Sequence, residues 1–127
     1  YHDCGMKGLS GISNDMRELL ASDAPSAKLA LKYFAWRVAE GMIGLGCAMN
    51  GIDGIVFTAG VGENSAEIRQ AISAHWGWLG IKLDPERNAA HHGPRISSDD
   101  SRIGVYVVRT KEELIIAQHT LALVKQR

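Results

Sequence analysis

The stretch FTAGVGENS, residues 57–65, combines features that normally belong to two different elements. It begins as an apolar strand, passes through Gly60 and Gly62, and ends with polar residues suited to the start of a helix. A strand, a glycine turn and a helix N-terminus together can form an anion site, because free backbone N–H groups face the ligand. A plain strand-to-helix connection has the same spacing, so both interpretations stay open. Ser65 replaces the third glycine of GxGxxG and no GK[ST] follows, which excludes the dinucleotide fingerprint and the P-loop.

The elements on either side of this turn predict a strand and a helix. Residues 54–58 form a short apolar run of the kind that is buried on both faces of a sheet. A helix is predicted over residues 65–74, with Asn64 as its N-cap and Glu67 as the capping partner. The side chains predicted to face the core are Ile68, Ala71 and Ile72.

Two further helices are predicted upstream of the strand. Ser13 is a suitable N-cap for a short helix over residues 13–22, and Pro25 suits the first turn of a longer helix that continues to about residue 49. The apolar stripe of the longer helix is Leu31, Phe34, Val38, Met42, Leu45 and Met49. Three glycines in it predict close approach of another backbone, within the domain or from a partner subunit: Gly41, Gly44 and Gly46.

The downstream part continues the alternation of strands and helices. The predicted elements are a strand over 78–84, a turn over 84–88, a loop over 91–100, a strand over 103–108 and a helix over 110–126. Strands that alternate with long helices indicate an α/β layer. The last helix has a predicted inward stripe of Leu114, Ala117, Leu121 and Val124.

The start of the last helix contains two adjacent glutamates with different predicted roles. Thr110 and Glu113 form the T-x-x-E pattern of a capping box. Glu112 has no task in that box, and it lies just after a strand end, where α/β proteins bind ligands. The alternative for Glu112 is a favourable acidic residue near the positive end of the helix dipole.

The composition narrows the functional classes. Lysine plus arginine balances aspartate plus glutamate at 14 each, and a net charge of zero argues against a general nucleic-acid binder. No apolar run is long enough to suggest a membrane span. Cys4 and Cys47 form no CxxC pair and fit a reducing cytoplasm better than a disulfide framework. His91 and His92 form a loop pair without metal-ligand spacing, predicted to be solvated.

Four segments together resemble acetate kinase, in the same order and at matching separations. They are GISNDMREL (11–19), GIVFTAGVGENSAEIR (54–69), LGIKLDPERNAA (79–90) and TKEELIIA (110–117). The resemblance covers nearly all of residues 1–127 and implies the C-terminal, nucleotide-binding part of that enzyme, with the N-terminal domain absent from this chain. The implied fold is the C-terminal half-domain of a duplicated actin-like ATPase, also described as ribonuclease H-like.

The resemblance also implies roles for individual residues. One segment is similar to the family's adenosine-contacting segment: Asp15, Met16 and Arg17. Another is similar to its nucleotide loop: Gly60, Val61, Gly62, Glu63 and Asn64. Glu112 matches the glutamate associated with Mg²⁺. The implied reaction is reversible transfer of a phosphoryl group between ATP and acetate, giving ADP and acetyl phosphate, by a cytoplasmic homodimer.

The implied assignment leaves two alternatives. Propionate and butyrate kinases have similar C-terminal parts, and the pocket that selects the acyl group is not in this chain. A non-catalytic nucleotide-binding or assembly module is the alternative from another class, and Glu112 counts against it because such a module has less need of a metal carboxylate. The implied catalytic residues also lie outside the chain, so the isolated chain is expected to be inactive.

Overall fold

The computed structural model describes residues 4–90 and 94–125, apart from the side chains of Glu112 and Glu113. In chain order the elements are α1 (Gly5–Ser10), α2 (Met16–Leu20), α3 (Pro25–Ala48), β1 (Gly54–Phe57), α4 (Ala59–Asn64), α5 (Ala66–Ala74), a 3-10 turn (Gly77–Leu79), α6 (Pro85–Ala90), β2 (Gly104–Val107) and α7 (Glu112–Lys125). The predicted α/β class is confirmed by this mixture of helices and strands.

The two strands pair in parallel, with Gly54 opposite Gly104 and Phe57 opposite Val107. Parallel strands need a long crossover connection, and here that connection carries α4, α5 and α6. The N–H of Val108 donates to the carbonyl oxygen of Phe57 at 3.0 Å, which extends the pairing beyond the last residue of β2. The carboxyl ends of both strands therefore lie side by side, and α4 starts from one of them.

Strand β1 is buried on one face, so the prediction of burial on both faces is wrong. Ile55 and Phe57 are buried, whereas Val56 is 56% exposed. The buried face belongs to a core that α3 and α5 also line. A short apolar run does not reveal that only one of its faces is covered. The buried core consists of Ala35, Ala39, Ile55, Phe57, Ile68, Ile72, Trp76, Ile81, Ile96 and Val105.

Trp76 joins the long helix to the sheet. Its ring stacks on that of Phe57 with a centroid separation of 6.2 Å, and its Nε1–H donates to the carbonyl oxygen of Ala39 at 3.2 Å. Ala35 and Ala39 are buried in the same core as Trp76, and their small side chains allow α3 to approach the indole closely.

The extent of α3 confirms the predicted long helix, with Pro25 in its first turn. Its predicted stripe is only partly correct. Leu31, Phe34, Val38 and Met42 are half-buried against the core. Leu45 and Met49 are 63% and 67% exposed, because the buried side of the last turns of α3 is the one that carries Ile43 and Gly46.

The three glycines of α3 differ in their surroundings. A Cβ at Gly46 would lie 2.7 Å from Cδ1 of Ile52, so this glycine does allow a close approach within the domain. A Cβ at Gly41 or Gly44 would meet nothing within 4 Å. Among the described residues, close packing therefore occurs at Gly46, against a side chain rather than the predicted backbone, and not at Gly41 or Gly44; packing against a partner subunit stays a prediction.

The short helix α2 starts later than predicted. Its N-cap is Asp15, whose Oδ1 accepts a hydrogen bond from the N–H of Arg17 at 2.8 Å. Ser13 was predicted to be the cap, but its Oγ accepts from the N–H of Asp15 at 3.0 Å. Both side chains are competent caps, and sequence alone does not decide which residue leaves the helical conformation.

The segment around residues 78–90 also differs from the prediction. Residues 78–84 do not form a strand, because Gly80 has a φ of +79° and interrupts the extended path after the 3-10 turn. Only Leu83 forms a β-bridge, to Ser97. The predicted turn at 84–88 opens helix α6, where Oδ1 of Asp84 accepts from the N–H of Arg87 at 2.9 Å. Within the predicted loop 91–100, residues 91–93 lie outside the described residues.

Helix α7 occurs where predicted, but its predicted inward stripe is wrong among the described residues. Leu114, Leu121 and Val124 are between 49% and 65% exposed. The described part of the chain offers no surface that covers them. None of its helices is both long enough and apolar enough to cross a membrane.

Candidate functional site

The predicted glycine turn after β1 is a short helix, α4. Its N-cap Thr58 is extended, and Ala59 follows with a φ of +58°. Gly60 and Gly62 are both helical, so neither supplies the positive φ that a glycine turn usually provides. The left-handed conformation falls on Ala59 instead, whose N–H donates to Oε1 of Glu63 at 2.8 Å. A side chain four residues later thus stabilises the strained start of α4.

The two glycines of α4 face different surroundings. A Cβ at Gly62 would lie 3.4 Å from the carbonyl carbon of Phe57, so this glycine packs against the end of β1. A Cβ at Gly60 would meet nothing within 4 Å. Gly60 is the position at which bare backbone is open to a ligand.

The helix that follows is capped by Ser65, so the prediction of Asn64 as N-cap is wrong. Oγ of Ser65 accepts from the N–H of Ile68 at 3.2 Å. Asn64 ends α4, and its Nδ2 donates to the carbonyl oxygen of Gly60 at 2.7 Å. The N-cap lies one residue later than predicted, because the preceding turn is itself helical. Ile68 and Ile72 are buried and Ala71 is half-buried, as predicted.

The adenosine-segment candidates form the first turn of α2. Nε and Nη2 of Arg17 donate to the two carboxylate oxygens of Asp15, at 3.1 and 2.6 Å. The hydrogen bonds from the Arg17 side chain and backbone lower the pKa of Asp15 to about 2. Met16 packs half-buried against the core. The Arg17 side chain is 89% exposed, so its planar guanidinium is held in place by Asp15 but open on its faces.

These two segments, 43 residues or more apart in sequence, line the same pocket. The pocket has a volume of about 590 Å³. It is lined by Asn14, Asp15, Met16, Arg17, Leu20, Gly60, Val61, Asn64 and Ser65. Six of the eight candidate residues of the two segments are among them, and the exceptions are Gly62 and Glu63. Gly62 packs on β1, and the side chain of Glu63 is directed to Thr110 at the exit of β2.

Glu63 makes its hydrogen bonds to the exit of β2. Its Oε1 accepts from the N–H of Thr110 at 2.8 Å and from Oγ1 of Thr110 at 3.0 Å. These bonds, chiefly the one from the Thr110 backbone, lower the pKa of the Glu63 carboxyl below its usual value. The side chain is therefore an ionised acceptor at neutral pH.

The use of Thr110 by Glu63 overturns the predicted capping box. Helix α7 begins at Glu112, so Thr110 lies one residue outside the N-cap position, and its hydroxyl is directed to Glu63. The side chain of Glu113 lies outside the described residues, as does that of the metal candidate Glu112. The backbone of Glu112 forms the first residue of α7, just beyond the carboxyl end of β2.

A buried arginine that the sequence did not single out fixes α4 from the inside. Arg69 of α5 is fully buried, and its Nη1 donates to the carbonyl oxygens of Gly62 and Glu63, both at 2.9 Å. Its Nε and Nη2 donate to Oδ1 and the carbonyl oxygen of Asn88 in α6, at 2.8 and 2.7 Å. The position of Arg69 on the buried face of α5, one residue after Ile68, was the available signal.

A second and larger groove lies at the opposite end of the strands. Its volume is about 750 Å³, and its lining includes Asp53 and Ile103, which directly precede β1 and β2. Ligands of α/β proteins bind beyond the carboxyl ends of strands. The smaller pocket satisfies that rule, and we therefore take it as the candidate site.

The remaining ionisable candidates form no metal site among residues 4–90 and 94–125, in which no cluster of three or more His, Cys, Asp or Glu occurs. His91 and His92 lie outside those residues, so the prediction that they are a solvated pair is not tested. Cys4 and Cys47 are exposed and do not form a disulfide.

Solved structures with a similar fold define the class of protein. An acetate kinase from Entamoeba histolytica superposes with a TM-score of 0.83 at 30% identity, over 93% of this chain and 33% of that one. A propionate kinase from Francisella tularensis superposes with a TM-score of 0.80 at 38% identity, over 91% of this chain and 30% of that one. The chain accordingly has part of the actin-like ATPase fold, as predicted.

Sequence comparison identifies the family. The sequence model of the Acetokinase family matches residues 1–118, and the chain belongs to that family. It is 57% identical over 127 residues to an acetate kinase of Nitrobacter hamburgensis and 54% identical over 124 residues to one of Rhizobium meliloti. These matches cover 100% and 98% of this chain. The chain spans 31% of the length of each of these relatives.

Proposed function

We propose that this chain is the C-terminal, nucleotide-binding part of an acetate kinase, which transfers a phosphoryl group reversibly between ATP and acetate. The observation that carries the proposal is the pocket shared by the start of α2 and by α4, at the carboxyl end of β1. Family membership supports the reaction. The complete enzyme then has an N-terminal domain that supplies the acetate pocket and closes over the nucleotide.

The pocket is suited to a nucleotide in both size and chemistry. Its volume of about 590 Å³ lies within the range of small-molecule sites. Arg17, held by Asp15, offers an open guanidinium face on which an adenine ring can stack. Gly60 offers backbone without a side chain, and α5 begins at the pocket with Ser65 as its cap. Helix N-termini favour phosphate groups.

In this proposal the residues of the chain position the nucleotide rather than take part in covalent chemistry. Phosphoryl transfer depends on in-line positioning and on neutralising the charge of the moving group. Asp15, Met16 and Arg17 hold the adenosine end, and the backbone of Gly60, Val61 and Asn64 adjoins the phosphates. Glu63 was also assigned to the nucleotide by resemblance, and its contacts favour a different task, which is argued below.

Mg²⁺ is proposed as the metal of the reaction, with Glu112 as its protein ligand. Mg²⁺ is commonly held by one or two carboxylates together with waters and substrate phosphates, so a single carboxylate at the start of α7 is compatible with it. Bound Mg²⁺ would neutralise charge on the phosphate oxygens. The same family resemblance supports a homodimer located in the cytoplasm, and both remain part of this proposal.

The acyl substrate has a second candidate. The similarity to the Francisella tularensis propionate kinase, at 38% identity, favours propionate as an alternative to acetate. Butyrate is a further member of the same substrate class, without a comparable observation. Glu112 argues against a non-catalytic nucleotide-binding or assembly module, because such a module has less need of a metal-binding carboxylate.

The proposal is tested on the purified complete enzyme with ATP, Mg²⁺ and acetate, propionate or butyrate. Formation of the acyl phosphate is followed by its reaction with hydroxylamine. We expect acyl phosphate to form only when Mg²⁺ is present, and the kcat/KM ratio of acetate to propionate identifies the substrate. An enzyme that binds ATP but forms no acyl phosphate with acetate, propionate or butyrate would support the non-catalytic module instead.

The location of the nucleotide is tested with Gly60→Val and a matched control, Gly41→Val. Both glycines are helical and have open space around them, so the intrinsic effect of valine on helix stability should be small in both variants. We expect Gly60→Val to raise the KM for ATP more than the KM for the acid, because its side chain fills the pocket. Gly41→Val should leave both unchanged. Equal effects of the two variants would place the nucleotide elsewhere.

The isolated chain should bind ATP only weakly and should have no kinase activity. A nucleotide clamped between two domains loses most of its contacts when one domain is absent. Calorimetric titration should therefore give a dissociation constant above 1 μM, which corresponds to a binding free energy weaker than about −8 kcal/mol. Tighter binding would mean that this chain alone provides most of the site.

A further inference from the structure

Glu63 connects two parts of the fold that are distant in sequence. A single oxygen, Oε1, accepts hydrogen bonds from the N–H of Ala59, from the N–H of Thr110 and from the hydroxyl of Thr110, at 2.8, 2.8 and 3.0 Å. Ala59 is the first residue of α4, and Thr110 lies 47 residues after Glu63, at the exit of β2. The carboxylate therefore ties the pocket-lining helix to the segment that enters α7.

The contacts of Glu63 do not suit it for direct contact with a nucleotide. Its side chain is not among those that line the pocket, and three donors already occupy Oε1. The carboxyl is ionised at neutral pH, since the hydrogen bonds from Thr110 lower its pKa. A carboxylate repels phosphate unless a cation separates them.

The start of α7 has few other anchors in the described part of the chain. The apolar side chains of α7 are exposed, including Leu114 at 49% and Ile116 at 66%. The main-chain hydrogen bond from Val108 to Phe57 ends the strand pairing two residues before Thr110. Within the described residues, the bonds between Thr110 and Glu63 are thus the last ones outside α7 itself that hold the chain before Glu112 begins the helix.

We propose that Glu63 is a positioning residue, which holds the β2–α7 junction against α4 and so fixes Glu112 relative to the nucleotide pocket. This inference rests on the proposed function, because it assigns Glu63 a task in a reaction that requires Glu112. For this positioning role the enzyme needs the hydrogen-bond-accepting oxygen of Glu63 but does not need its negative charge.

The test uses the complete enzyme with Glu63→Ala and Glu63→Gln, and with Glu67→Ala as a matched control on an exposed glutamate nearby. Glutamine keeps one oxygen that can accept from all three donors, whereas alanine keeps none. We expect Glu63→Ala to lower kcat by about tenfold or more, since small misplacements of a reacting group have effects of that size. It should also raise the Mg²⁺ concentration for half-maximal velocity several-fold. Glu63→Gln and Glu67→Ala should stay within about twofold of the wild type on the same scale.

Thr110 provides the second half of the test. Thr110→Val removes the hydroxyl donor with little change of shape, and Thr110→Ser restores it. We expect a raised Mg²⁺ requirement in the valine variant and a normal one in the serine variant. The double variant Glu63→Ala/Thr110→Val should be no worse than Glu63→Ala alone, because both changes remove the same interaction. If Glu63→Ala fails to fold, Glu63→Gln and the two Thr110 variants still decide the matter.

The outcomes separate this inference from the proposed function. If Glu63→Gln is as impaired as Glu63→Ala, the charge acts directly on the nucleotide or the metal, and the positioning role is wrong. An unchanged Mg²⁺ requirement in folded Glu63→Ala, or a normal one in Thr110→Val, also overturns it. A wild-type enzyme that forms no acyl phosphate refutes the proposed function instead.

Discussion

Replacement of the buried Arg69 by methionine tests whether the wall of the pocket is held from the inside. The guanidinium donates to four oxygen atoms, two on α4 and two on Asn88 of α6. No carboxylate among the described residues forms an ion pair with it, and burial lowers its pKa. Arginine remains protonated in folded proteins, so among the described residues only backbone and amide dipoles balance the cation.

The expected cost follows from the acceptors left without a donor. The two oxygens of Asn88 are in buried hydrogen bonds, whereas the two on α4 are in partly buried ones that water can replace. A buried acceptor without a partner costs about 1–3 kcal/mol. Two of them give a loss of about 3 kcal/mol in the free energy of unfolding, at about 1.5 kcal/mol each. Methionine fills part of the space, so the cavity adds little.

Arg87→Met is the matched control for this measurement. Arg87 lies in α6, and its ion pair with Asp99 is exposed; such pairs contribute about 0–1 kcal/mol. Its one partly buried hydrogen bond is to the carbonyl oxygen of Ser97, so at most one acceptor, rather than two, is left without a donor in this variant. Urea denaturation of the complete enzyme should show a loss for Arg69→Met at least about twice that of Arg87→Met. Arg69→Met should also raise the KM for ATP, because α4 loses its inner support. Equal losses for the two variants, with an unchanged KM for ATP, would refute the reasoning.

Three further predictions concern α3, α7 and α2. Gly44→Ala should stabilise the protein by up to about 1 kcal/mol. Gly46→Ala should stabilise it less or destabilise it, because the added Cβ would meet Ile52. The urea midpoints of the two variants test this difference. Glu112→Ala should lower kcat and raise the Mg²⁺ requirement of the complete enzyme, and Glu113→Ala should do neither; magnesium titrations of both variants check this. Asp15→Asn should lower stability at neutral pH. Since the pKa of Asp15 is lowered from 3.8 to about 2, the stabilising effect is present above 3.8 and is lost as the pH falls towards 2, so denaturation curves of the two proteins should converge there.

The parts of the fold that the sequence predicted correctly depend on local signals. Pro25 indicated the start of α3, and the buried positions of α5 followed from helical spacing. The short runs gave less reliable predictions. Residues 78–84 alternate like a strand, but Gly80 ends the 3-10 turn with a positive φ, and its carbonyl oxygen accepts from the N–H of Arg102, 22 residues later. Alternation alone carries no information about such a contact.

Six of the eight nucleotide-site residues that the resemblance selected line one pocket, and their role in binding stays a prediction. The segments at Asp15 and Gly60 were selected by resemblance, and the structure brings both to one pocket. The sequence provided no prediction of partners for the side chains that act over a long sequence separation. Glu63 bonds to a residue 47 positions away, and Arg69 bonds to one 19 positions away. Neither separation belongs to a helical or strand period, so no pattern in the sequence could indicate these partners.

The geometry of α4 also bears on how binding energy is divided in the complete enzyme. The side of α4 that carries Gly60 is open to the pocket, while its other side is fixed at Gly62, Glu63 and the carbonyl oxygens that Arg69 holds. A short helix fixed in this way does not need to be ordered by the nucleotide, so little conformational entropy is lost there on binding. Weak binding by the isolated chain would then reflect missing contacts from the other domain rather than a wall that has yet to form. The rise in the KM for ATP expected for Arg69→Met follows from the same argument, because that variant removes the support of α4 and leaves every pocket-lining side chain in place.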